Sequence, residues 1–92
     1  MSYIVNTSLF IRKEIQNEET VYLVYVGDRD EMYKLNEASF DCFTMLENNL
    51  TFDEIYDALC HKYFETSRDA IKDHFRELLM EFIAAGIIAQ EE

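Results

Sequence analysis

The chain has 92 residues, 49% of them apolar and 14% aromatic, and sets 19 acidic against 8 basic side chains for a formal charge of −11. A chain of this length carries one modest core with little left over for a separately walled active site, and its apolar content is above that of segments that stay disordered. The negative field opposes the phosphate neutralisation on which nucleic-acid affinity rests, so neither nucleic acid nor an anionic membrane is an expected partner.

The period-two pattern of Leu9, Ile11 and Ile15 against Phe10, Arg12 and Glu14 predicts a first strand over about 9–15. Gln16 to Glu19 supply a turn. The β-branched and aromatic run from Thr20 to Val26 predicts a second strand, apolar on both faces; one face is expected against the domain's own helices, and the other is either covered by a neighbouring chain or a tolerated surface of tyrosines and valines. After the turn Gly27 to Asp30, a short third strand is expected over 31–35, with Met32 and Lys34 on one face and Tyr33 and Leu35 on the other. The three strands read as an antiparallel meander whose last member is an edge. Such an edge is either guarded, here by Glu31 and Lys34, or used to accept an added strand.

Helical periodicity begins after Asn36, a fitting N-cap, and predicts helices over about 37–48, 52–64 and 68–85. Thr51 with Glu54 forms a capping box, Thr66 or Ser67 can cap the last helix, and Gly86 stands where a left-handed residue should end it. Residues 1–92 are thus expected to form a single α+β domain, three strands then three helices. Tyr3 to Ser8 receive no assignment.

The chain offers no sign of catalysis. Cys42, Cys60, His61 and His74 lack any CxxC or HxxxH spacing, so no metal site is expected, and the thiols read as small core hydrophobes. Asp28, Asp30 and Glu31 beside Gly27 lack the alternating ligands of a calcium loop. No phosphate loop or activated nucleophile is present, and no cofactor or enzymatic activity is expected. No apolar run reaches the roughly 20 residues of a membrane span, and the first residues lack a signal-peptide pattern, so a cytoplasmic location is expected. One local pattern runs against the overall charge: Arg68, Lys72 and Arg76 stand at i, i+4 and i+8, on one stripe of the last helix. It is either an acid-selecting track or ordinary pairing with Asp69 and Asp73.

The run Tyr33-Lys34-Leu35-Asn36-Glu37-Ala38-Ser39 resembles the strand-to-helix junction of the PqqD-like family, the leader-recognition domains of ribosomal peptide-modification pathways. The similarity continues through Leu50 to Ile55, Leu59 to Tyr63, and Asp73, Leu78, Phe82, Gly86 and Ile87, covering about residues 20–89. The resemblance implies a winged-helix-like fold that binds the leader of a precursor peptide by strand addition. It places the site between the third strand, Glu31, Met32, Tyr33, Lys34 and Leu35, and the last helix, Arg68, Ile71, Lys72, Phe75 and Arg76. The three basic residues would then select acidic leader side chains. The implied partners are the precursor leader and a radical SAM maturase or a lasso-type peptidase and cyclase. The apolar second strand offers a surface for that enzyme or for a homodimer. Competing expectations are a structural adaptor that binds a folded enzyme without peptide, and a winged-helix DNA-binding regulator, which the charge opposes.

Overall fold

The computed structural model describes residues 2–91. Three strands, β2 (Leu9–Gln16), β3 (Glu19–Val26) and β4 (Glu31–Leu35), form an antiparallel sheet in the order β2-β3-β4, followed by helices α1 (Glu37–Glu47), α2 (Phe52–Lys62) and α3 (Arg68–Ala85). This is the α+β architecture expected from the sequence. Two short strands that the sequence did not reveal, β1 (Ser2–Val5) and β5 (Ile88–Glu91), pair antiparallel as a second sheet, with Ser2 opposite Glu91 and Val5 opposite Ile88.

Local chemistry explains where each element turns or stops. Asn17 and Glu18 both take positive φ, 51° and 67°, which makes the two-residue β2–β3 hairpin whose twist suits its strands and fixes the pairing of Gln16 with Glu19. The Asn36 side chain caps α1 by accepting from Ser39 N at 2.8 Å. At the other end Asn49, at φ 63°, takes the left-handed position usually given to glycine, and Leu50 N reaches back to Met45 O at 3.2 Å. The Thr51 and Glu54 capping box forms in both directions, and Ser67 rather than Thr66 caps α3, accepting from Ala70 N. The carboxylate of Glu54 is held below its ordinary pKa first by the Thr51 backbone N–H and then by its hydroxyl. Gly86 ends α3 at φ 78°, and Ile87 N bonds Phe82 O at 2.9 Å, closing a Schellman turn.

That turn directs Ile87 and Ile88 inward, where they are 1% and 2% exposed, and β5 leaves from them to meet β1. The core joins Val24, Val26 and Leu35 of the sheet to Phe43, Ile55, Ile71, Phe75 and Phe82 of the helices. Phe43 and Phe82 meet edge to face at 6.4 Å, and Tyr22 stacks on Phe40 at 3.7 Å. Each such ring removed from water contributes on the order of 2–3 kcal/mol.

The helices cover only one face of the larger sheet. Tyr22, Val24, Val26, Tyr33 and Leu35 point toward them, while Leu23 and Tyr25 share the opposite face with Phe10 and Met32. On that second face Val21 is buried and Leu23 and Tyr25 are half-buried, while Phe10 and Met32 beside them are 66% and 59% exposed, so the face is only partly covered among the described residues.

Candidate functional site

The turn leading into β4 contacts the C-terminal end of α3, and farther back α3 borders a hollow on its α1 side. At the start of β4 the two elements are tied together. Arg29, in the β3–β4 turn, donates through Nη1 to Ala84 O at 2.7 Å, and its guanidinium lies against Gly86, where an added Cβ would come within 2.6 Å of Nε. Asn6 donates to Gly86 O at 2.9 Å and to Asp28 Oδ1 at 3.0 Å, and Gly27 N donates to Ser8 O. A cation set against the last carbonyls of a helix is favoured by the helix dipole as well as by the hydrogen bond.

Farther along, α3 faces the start of α1 and the end of α2. A hollow of about 390 Å³ opens where β4 passes into α1. Asn36, Ala38, Ser39 and Cys42 form one wall, and Leu59 with Tyr63 and Thr66 closes the end beneath α2. The opposite wall is α3, through Ile71, His74, Phe75, Glu77, Leu78 and Glu81. The floor is apolar. Burial pushes the Cys42 thiol up to about 11, with the neighbouring Asp41 carboxylate adding to the shift, so at neutral pH it is a protonated, weakly polar surface and not a nucleophile. Charged groups stand only at the rim, because the described core holds no buried charge.

The sequence-derived residues divide among several places. Ile71 and Phe75 line the hollow. Leu35 is buried in the core, and Tyr33 packs against it half-buried, which settles that the Tyr33 and Leu35 face of β4 is the one turned to the helices. The Tyr33 hydroxyl donates to the Glu31 carboxylate, and that bond, with some desolvation, raises the phenol above its ordinary pKa. Met32 and Lys34 project from the other face of the sheet and are exposed. Among the described residues β4 pairs only with β3, so its second edge has no strand partner.

Arg68, Lys72 and Arg76 are exposed and share a stripe, but they are not among the residues lining the hollow. At about 100° per residue their stripe lies roughly 170° around α3 from that of His74, Glu77 and Glu81. Nor do they form the short-range pairs their spacing allows. Among the described residues the ion pairs are Arg12 with Glu14 at 2.8 Å and Lys62 with Asp41.

Sequence reasoning missed His74, Glu77 and Glu81, and it assigned Cys42 and Leu78 to the core alone. The available signal was the flank of α3 that adjoins Ile71 and Phe75 on the side away from the basic stripe. The spacing defines two flanks but does not say which one faces α1.

Among the described residues no group of three histidine, cysteine or acidic side chains could hold a metal ion, and no helix is long and apolar enough to cross a membrane. Comparison with curated proteins and with solved structures returned no match. A family model described as Coenzyme PQQ synthesis protein D (PqqD) matches residues 16–88, from the last residue of β2 through the first of β5. With β3, β4, the three helices and the Gly86 turn all inside that span, the chain belongs to the PqqD family.

Proposed function

We propose that the chain binds the leader segment of a ribosomally synthesised precursor peptide and presents it to a modifying enzyme. Family membership supports the coarse reading, since PqqD proteins are non-catalytic accessory proteins that bind precursor peptides alongside radical SAM enzymes. The observation that carries the finer reading is the free edge of β4 running into an apolar-floored hollow against α3. An extended peptide added to that edge gains backbone hydrogen bonds that are indifferent to sequence, and its alternate side chains fall toward Ile71, Phe75 and Leu78. Glu31 to Leu35 supply the template strand. The receiving enzyme is a radical SAM maturase or a lasso-type peptidase and cyclase acting in the cytoplasm. In this reading the protein makes and breaks no bonds. Its contribution is local concentration and orientation of the substrate.

Titration of the isotope-labelled protein with a synthetic leader from a precursor encoded beside it tests this reading. Micromolar binding, with amide shifts concentrated at Glu31 to Leu35 and at Ile71 to Glu81, is the expected result. Shifts confined to β2 and the outer face of the sheet would refute it.

The outer sheet face favours a second contact. Phe10, Leu23, Tyr25 and Met32 surround a shallower hollow of about 210 Å³ there. An apolar surface of this kind suits the folded enzyme that receives the peptide. Copurification of that enzyme should then depend on Phe10 and Met32 and not on a peptide being bound.

A further inference from the structure

We propose that the peptide segment taken into the hollow is basic, carrying an apolar anchor and a lysine or arginine two positions away from it. The inference rests on the reading of the hollow as a peptide site and adds the chemistry of its ligand. Every formally charged side chain on its lining is acidic: Glu77 and Glu81, both exposed and both on α3, with no lysine or arginine among the lining residues. Neither glutamate is engaged in an ion pair among the described residues, so their charge is available to a ligand.

The geometry of the two partners matches. Leu78 of the floor and Glu81 of the rim stand three positions apart on α3, about 5–6 Å between Cβ atoms, close to the roughly 6.8 Å between side chains i and i+2 on the same face of an extended strand. An extended peptide in the hollow can thus place one side chain on the apolar floor and the next on that face beside a carboxylate. The net charge of −11 acts in the same direction at long range, drawing a cationic segment toward the protein and repelling an acidic one. The basic stripe of Arg68, Lys72 and Arg76, which would favour an acidic ligand, stands on the opposite flank of α3 and outside the lining.

The experiment pans the full chain against a displayed library of randomised 12-residue peptides at low and high salt. The expected result is enrichment of lysine or arginine two positions from a large apolar residue, with weaker binding at high salt. For a selected peptide, Glu77→Gln and Glu81→Gln should each weaken binding roughly three- to fivefold, as loss of one partly exposed charge pair implies. Both substitutions are at exposed sites, and the thermal transition of each variant confirms that it folds. Enrichment of acidic peptides, with binding lost on Arg68→Gln, Lys72→Gln or Arg76→Gln, overturns the inference while leaving peptide recognition standing. Enrichment with no charge preference overturns it in the same way. A library with no binders at all overturns both this inference and the peptide-binding reading beneath it.

Discussion

The two ends of α3 are held by different interactions. At the end near Gly86, polar groups fasten the β3–β4 turn to the helix: Arg29 donates to Ala84 O, Asn6 donates to Gly86 O, and the guanidinium lies against the bare Cα of Gly86. Toward Ala38, α3 stands apart from the start of α1 around a hollow floored by Leu59, Ile71, Phe75 and Leu78. An apolar hollow between two mobile elements would tend to collapse, because its lining forgoes contacts on one side. Directional hydrogen bonds at the far end hold α3 against the β3–β4 turn and so limit its movement toward α1.

That difference can be broken most forcefully in the core beneath both ends. Phe82 is 1% exposed, meets Phe43 edge to face, and lends its carbonyl to the Ile87 turn. Phe82→Ala should cost about 3–5 kcal/mol and lower the thermal midpoint by more than about 12 °C, with both ends lost in one transition. Hydrogen exchange that opens the Gly86 end while the α1–α3 end stays protected would show that the two are separate cooperative units.

A smaller and more local perturbation acts on the fastened end alone. Gly86→Ala combines left-handed strain with displacement of Arg29, for an expected loss of about 2 kcal/mol in urea denaturation. In an Arg29→Ala background the same change should cost only about 1 kcal/mol, since the steric part is gone. Additive costs would mean that the guanidinium moves aside freely and does not fasten the turn.

The open end is probed most gently through pH. The Cys42 thiol has a folded pKa of about 11 against an ordinary value of 9.0, so burial favours its neutral form. Stability from this group is complete below about pH 9 and is lost as pH rises through about 11, by roughly 1 kcal/mol once partial solvent access is allowed for. Cys42→Ala should flatten the stability profile across that window. An unchanged slope would assign the alkaline loss to other groups.

Much of this architecture was legible where a few neighbouring residues decide the outcome. Asn36, the Thr51 and Glu54 box, Ser67 and Gly86 each announce a helix end through chemistry confined to one turn, and the alternation in β2 and β4 marks strands without reference to the rest of the chain. The pairing of β1 with β5 was not legible. Each strand has four residues, too few for a period to show, and Ser2 finds its partner at Glu91 only once everything between has folded. The site divided along the same line. Its apolar wall, Ile71 and Phe75, follows from the 3.6-residue stripe of α3. The polarity of its rim does not, because His74, Glu77 and Glu81 on one flank and Arg68, Lys72 and Arg76 on the other obey the same spacing. Only the packing of α1 selects between them.

The β1–β5 ribbon has a consequence for the topology of the chain. Residues 2 and 91 lie directly across an antiparallel pair, about 5 Å apart between Cα atoms. The ribbon therefore acts as a clasp: a strand that enters the fold and a strand that leaves it hold each other in register, so displacing either one bares the pairing edge of the other.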